Sequence, residues 1–272
     1  MELSKMFESL PNVSTLCNPA YVAEFFGSLL LILFGCGSCA NAALPKTKGN
    51  NGGYFMIVTG WSFGVALIVF LFARASGAHV NPAITVALAM AGLFPWVHVC
   101  PYIIAQFLGC FAGAILVYLV YAPYFKESTN PDANLTIFCT APGVRSKFWS
   151  FMAEMIATAI LLFIITGLGY AAKNGDAAYF DPGFSAFAIG LLILTIGLGM
   201  GGPTGFALNP ARDLSPRLAY LILPIAVKRD ADWGYSWVPI MAPMIGGPLG
   251  CLCWRVLFGN TTIPDLVTMI IR

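Results

Sequence analysis

Charge is what this sequence has least of. Asp, Glu, Lys and Arg make up 10% of the 272 residues, and histidine occurs twice. A soluble domain usually carries about 25% charge. The fourteen Lys and Arg residues are scattered rather than run together, so the electrostatic footprint of a nucleic-acid binder is missing. The net charge of +2 is too small to argue for an anionic partner. No Cys-x-x-Cys pair comes with a histidine partner, and His79 and His98 are remote in sequence from one another, so neither a metal nor a cofactor is expected. The apolar stretches hold no Ser, His or paired-Asp constellation of the kind an intramembrane hydrolase needs, and the chain is read as a non-enzyme. The first twenty residues carry Glu2, Lys5 and Glu8 but no apolar core. They are not read as a secretory signal, which leaves targeting to the first hydrophobic segment.

Apolar residues are what the chain has instead, at 58%. A membrane-spanning helix needs about 20 predominantly apolar residues. Six stretches meet that length, at 20–40, 54–73, 97–121, 149–171, 183–201 and 235–258. Within them the ionisable residues are Glu24, Glu154 and, near the last end, Arg255, with His98 at the edge of the third. Cys36, Cys39, Cys100, Cys110, Cys251 and Cys253 fall inside apolar stretches and read as free thiols acting as small hydrophobes. Cys17 and Cys139 lie in polar segments and are assigned to neither class.

Two further apolar segments, His79 to Ala91 and Leu208 to Tyr220, are too short to span. Each opens on an Asn-Pro-Ala triplet, Asn81-Pro82-Ala83 and Asn209-Pro210-Ala211. Asn is a strong helix N-cap, and Pro is favoured at the first helical position, where its missing N–H costs nothing. Each triplet therefore predicts the start of a half-length helix. Gly77 and Gly205 just upstream suit an irregular backbone before the cap.

The chain also matches itself. Glu24 and the eight-residue run it opens align with the run opened by Glu154, and Ser76–Ala83 align with Thr204–Ala211. Ala105, Gln106, Gly109 and Gly113 likewise meet Ala242, Pro243, Gly246 and Gly250. The two glycine pairs are small-xxx-small spacings that allow close helix crossing in lipid. The expected architecture is thus an all-α membrane protein, a single channel domain of six transmembrane helices and two re-entrant half-helices. Its repeats cover about residues 20–121 and 149–258. Three spans per repeat insert the second copy upside down, so the half-helices enter from opposite faces and their N-termini meet near the midplane.

Irregular backbone survives at membrane depth only when it lines an aqueous cavity or is buried in protein. Two helix N-termini converging on one point, each worth about half a positive charge, repel cations and hydronium. Asn81 and Asn209 add amide donors, and loop carbonyls add acceptors, a lining suited to small uncharged solutes. Arg212 follows the second triplet directly. An Arg at that depth costs at least about 2.5–3.5 kcal/mol; its place one helical step from the pore loop favours a pore-facing role at a constriction over snorkelling or a packed ion pair with Asp213. Glu24 and Glu154 read as acceptors for N–H groups that the irregular loops leave free, with a proton relay as the alternative.

The paired Asn-Pro-Ala boxes, each with a Gly just before and a matched Glu upstream, resemble the aquaporin (major intrinsic protein) family over about residues 20–258. The stretch Gly205 to Leu214, with Asp213 after Arg212, is similar to the aquaglyceroporin, or glycerol facilitator, subgroup. The resemblance implies a selectivity filter of Trp61, Gly197, Phe206 and Arg212. It further implies lining carbonyls at Gly77, Ala78 and His79 and at Gly205, Phe206 and Ala207. Water-selective members usually carry His at the Gly197 position. Trp61 and Phe206 would instead offer an apolar corner to a carbon backbone, while Arg212 donates to hydroxyls. The implied function is passive passage of glycerol, related polyols and water through a homotetramer in the plasma membrane with cytoplasmic termini.

Three features bear on that expectation. Ser215 stands where the family commonly has Gly before Pro216-Arg217. In the implied orientation five basic residues lie inside (Lys5, Arg74, Lys173, Arg255 and Arg272) and nine outside, Arg212 and Arg217 among them, against the positive-inside rule. Asn134-Leu135-Thr136 would be an extracellular glycosylation acceptor, while the sequons at Asn12 and Asn260 would be cytoplasmic and unused. The rival readings are a water-selective channel, a coupled secondary transporter using Glu24 and Glu154, and a structural membrane protein with no need for Arg212.

Overall fold

The computed structural model describes residues 18–174 and 182–259, and every regular element among them is helical. Four helices start at an Asn-Pro pair, with the Asn side chain accepting a backbone N–H of the first turn: α1 (Pro19–Ala43), α3 (Pro82–Met90), α5 (Pro131–Phe138) and α8 (Pro210–Ile222). The others are α2 (Gly53–Ser76), α4 (Val99–Phe125), α6 (Lys147–Asn174), α7 (Pro182–Met200), α9 (Trp233–Ser236) and α10 (Val238–Phe258). Asn18-Pro19-Ala20 is a third Asn-Pro-Ala triplet, and it merely opens α1. The triplet thus specifies a helix start, and only its surroundings decide whether that start lies at a pore.

Among the described residues, five segments are long and apolar enough to cross a membrane: Pro19–Ala43, Gly53–Ser76, Trp96–Phe125, Lys147–Tyr170 and Trp233–Phe258. The remaining long helix, Pro182–Met200, has 19 residues and so spans about 28 Å, close to the roughly 30 Å hydrocarbon core. The sequence reading missed α5, a short capped helix between the repeats.

Burial is inside-out relative to a soluble protein. Phe55, Phe63, Phe70, Leu108, Leu119 and Trp149 are exposed, while Glu24, Glu154, Asn81, Asn209, Gln106, Asp213 and Arg217 are buried. Charged groups are almost never buried unless paired, and an exposed apolar belt of this extent marks a lipid-facing surface.

Packing repeats at matched positions. A Cβ added at Gly109 would overlap the Phe25 carbonyl, and one at Gly113 would stand 2.5 Å from the Leu29 carbonyl oxygen. Gly246 meets the Met155 carbonyl and Gly250 the Ala159 carbonyl in the same way. α1 therefore crosses α4, and α6 crosses α10, with backbones in contact. Only glycine permits that approach, and in lipid close van der Waals packing drives helix association.

The cysteines Cys36, Cys39, Cys110, Cys139 and Cys251 are buried free thiols, whereas Cys100 and Cys253 are free and exposed. Cys17, Asn12 and Asn260 lie outside the described residues. Asn134 is fully buried and its Nδ2 donates to the Val227 carbonyl at 2.8 Å. Burial of Asn134 counts against the glycosylation expectation: the nitrogen that would carry a glycan is packed inside the folded chain.

Candidate functional site

The two half-helices α3 and α8 meet N-terminus to N-terminus. Asn81 Oδ1 accepts from Ala83 N at 2.8 Å, and Asn209 Oδ1 accepts from Ala211 N at 3.0 Å and Arg212 N at 3.1 Å. Each side-chain amide then reaches the opposite loop. Asn81 Nδ2 donates to the Leu208 carbonyl at 2.9 Å and Asn209 Nδ2 to the Val80 carbonyl at 2.7 Å. An amide nitrogen has two protons, so each Asn retains one for a solute.

The loops that precede these caps share an unusual backbone. Gly77, Ala78 and Val80 have positive φ, and so do Gly205, Phe206 and Leu208. A β-branched residue at positive φ is an outlier, and each such residue costs on the order of 1–3 kcal/mol. Buried glutamates hold both loops in place. Glu24 Oε1 accepts from Ser76 Oγ at 2.7 Å and His79 N at 2.9 Å; its Oε2 accepts from Val80 N and Gln106 Nε2, both at 2.7 Å. Glu154 Oε1 accepts from Thr204 Oγ1 at 2.5 Å and Ala207 N at 2.9 Å, and its Oε2 from Leu208 N at 2.9 Å. Turning these N–H groups towards the carboxylates turns the carbonyls the other way. Among the described residues, the carbonyls of Gly77, Ala78, His79, Gly205, Phe206 and Ala207 accept no hydrogen bond from the protein.

Those loops border a cavity of about 290 Å³ that holds both Asn residues, with Leu31, Val69, Ile84, Leu161 and Ile193 on its apolar walls. A second cavity, of about 170 Å³, adjoins it. Among the described residues, three line both: Trp61, Phe206 and Arg212. The guanidinium carbon of Arg212 lies 4.2 Å from the Trp61 ring centroid, within cation–π range. Arg212 is buried, and its Nη1 has no hydrogen-bond partner among the described residues. A buried, unpartnered guanidinium nitrogen is costly unless something passing supplies the acceptor. Gly197, expected in the filter, lines neither cavity among the described residues and stands behind Phe206 instead. A Cβ there would overlap Val58 and come within 3.2 Å of Phe206 Cζ, so Gly197 supplies room for the Phe206 ring.

Asp213 does not pair with Arg212. Its Oδ2 accepts from Thr140 N at 2.7 Å and Thr140 Oγ1 at 2.6 Å, and its Oδ1 pairs with Arg217 Nη2 at 2.7 Å. Arg217 also donates to the carbonyls of Ala231, at 2.6 Å, and Thr140, at 2.9 Å. This buried ion pair ties α8 to the segments before α6 and α9. The sequence reading assigned Arg217, Thr140 and Gln106 no role in the site; the one available signal was the Arg four residues after Asp213, the spacing of an intrahelical pair. His79 lies against Phe94 and Tyr102, with Nδ1 3.1 Å from Thr85 Oγ1. No cluster of three or more metal-capable side chains occurs among the described residues.

Residues 12–254 match the family model described as "Major intrinsic protein". The chain belongs to the major intrinsic protein family. This family member is 52% identical over 238 residues to a probable glycerol uptake facilitator protein of Thermotoga maritima, covering 88% of this chain and 99% of that one. A glycerol uptake facilitator protein of Bacillus subtilis is 41% identical, covering 88% of this chain and 85% of its own length. Among solved structures, the aquaglyceroporin from Plasmodium falciparum aligns with TM-score 0.78 and 31% identity over 92% of this chain and 98% of its own.

Proposed function

We propose that this major intrinsic protein is a passive channel for glycerol, related small uncharged polyols and water, and that it excludes ions and protons. The observation that carries the reading is that Trp61, Phe206 and Arg212 line both cavities, which we read as a constriction between them. One side is aromatic carbon and the other an unpartnered guanidinium nitrogen. A polyol has the same division, with a CH edge and an OH edge. Beyond the constriction the freed loop carbonyls and the second protons of Asn81 and Asn209 continue a lane of acceptors and donors along an apolar wall. Charge exclusion follows from the two opposed helix N-termini, each worth about half a positive charge, and from the cationic Arg212.

Relatives named as glycerol facilitators support the solute class, and Gly197 supports a wide constriction over a water-selective one. The carboxylates of Glu24 and Glu154 are committed to loop N–H groups, which supports a structural role for them over ion coupling. A 38%-identical relative is named a D/L-lactic acid transporter, and lactic acid belongs in the solute panel for that reason. The reading extends to a homotetramer in the plasma membrane with cytoplasmic termini. Burial of Arg212 and Arg217 takes both out of the outside loops and weakens the charge-bias objection to that orientation.

Stopped-flow light scattering of proteoliposomes with glycerol and sucrose gradients in parallel is the test. Fast glycerol equilibration with weak temperature dependence, indifferent to pH and sodium gradients, is the expected result. Water flow without glycerol flow would overturn the assignment in favour of a water-selective channel, and ion-dependent uptake would return Glu24 and Glu154 to a coupling role.

A further inference from the structure

The Phe206 ring is one wall of the constriction, yet little in its own backbone fixes it. Its φ is +41°, a sparsely populated region for a bulky residue. Its N–H makes a long bond, 3.3 Å to Thr204 Oγ1. The carboxylate of Glu154 grips the next two amides but not this one. Packing must therefore hold the ring. On one side stands Gly197, and on another Gly201, where an added Cβ would lie 2.6 Å from Phe206 Cδ1. Against the outer edge stands Tyr54, its ring centroid 6.3 Å from that of Phe206 at an interplanar angle of 86°.

Tyr54 is two helical turns before Trp61 on the same face of α2, and both line the outer cavity. Its hydroxyl sits over Gly201, where an added Cβ would collide with it. Gly201 in turn accepts the Gly205 N–H at 2.8 Å, so the Tyr54 ring presses on both Phe206 and the strand of chain that delivers it. No residue other than Tyr54 closes an aromatic pair with Phe206 among the described contacts.

We infer that Tyr54 is a positioning residue for solute selection: it holds the Phe206 wall inward from the mouth of the channel and so sets the upper size of polyol that passes. This inference rests on the polyol-channel reading. An edge-to-face pair contributes enough beyond its buried area to change a conformational equilibrium by a factor of about 2 to 10. Removing the Tyr54 ring releases Phe206 into the outer cavity and opens the constriction on that side.

The experiment is proteoliposome permeation of glycerol, a four-carbon and a five-carbon polyol, and water, with protein content equalised. In Tyr54→Leu the ratio of five-carbon polyol to glycerol permeability should rise about threefold or more, while water permeability per channel holds or rises. Tyr54→Phe keeps the ring and should restore the wild-type ratio, which general damage to folding would not do; Tyr54→Met serves if Tyr54→Leu fails to assemble. A wild-type ratio in the ring-less variants, or an equal fall in all solutes, overturns the role of Tyr54 while leaving the polyol channel intact. A wild-type protein that passes water but no polyol overturns the underlying reading instead.

Discussion

Asn81 and Asn209 each complete the other's loop. The Asn81 side-chain amide holds the Leu208 carbonyl at 2.9 Å, and the Asn209 amide holds the Val80 carbonyl at 2.7 Å. Each is also the N-cap of its own half-helix. One residue type thus satisfies a helix start and fastens the two halves of the chain where their short helices meet.

Replacing either Asn by Ala removes a cap, worth about 0.5–2 kcal/mol, and a cross-loop hydrogen bond, worth about 0.5–1.5 kcal/mol. Asn81→Ala and Asn209→Ala should each lower stability by about 1–3 kcal/mol, measured by thermal unfolding in detergent. A loss confined to one of the two would show that the reciprocal bonds are not equivalent.

Glu154→Gln sets an NH2 group against at least one of the donors Thr204 Oγ1, Ala207 N and Leu208 N. A buried donor left unsatisfied costs about 1–3 kcal/mol. The variant should be less stable by that amount and its solute flux should fall, because the freed loop no longer aims its carbonyls. Wild-type stability with wild-type flux would remove Glu154 from loop support.

Arg217→Met strands the Asp213 carboxylate in a fully buried site. Breaking one half of a buried pair costs about 3–5 kcal/mol, so folded protein recovered from membranes should drop sharply. Arg217→Met combined with Asp213→Leu should recover more folded channel than Arg217→Met alone. A double variant worse than the single one would show that the Thr140 contacts of Asp213 outweigh its ion pair.

Gly250→Val drives a side chain into the Ala159 carbonyl, whereas a Cβ at Gly37 within α1 meets nothing within 4 Å. Gly250→Val should abolish assembly, and Gly37→Ala should stabilise the helix by about 0.5–1 kcal/mol. Size-exclusion profiles and melting curves separate the two outcomes.

Gly197→Ala places a methyl within 3.2 Å of Phe206 Cζ and against Val58. Phe206 must then shift towards the lane, and glycerol permeability should fall more than water permeability. Equal loss of both would point to misfolding rather than to a narrowed constriction.

Sequence alone sufficed for much of this molecule because its signals are local or repeated. Long apolar runs fix membrane helices, since a backbone in lipid must satisfy its own hydrogen bonds. Asn-Pro fixes a helix start through the cap and the missing N–H, and Glu24 with Glu154 and Gly109 with Gly246 stand out by self-alignment. Yet the same local rule writes Asn18-Pro19-Ala20, which opens an ordinary spanning helix. Tertiary structure decided which triplets face each other, that Asp213 pairs with Arg217 and leaves Arg212 Nη1 without a hydrogen-bond partner among the described residues, that Asn134 is buried, and that Tyr54 packs edge-to-face on Phe206. Each of these joins residues far apart in the chain or chooses between neighbours of equal local merit. Packing geometry makes that choice, because which buried polar group finds a partner depends on what the rest of the chain brings alongside it.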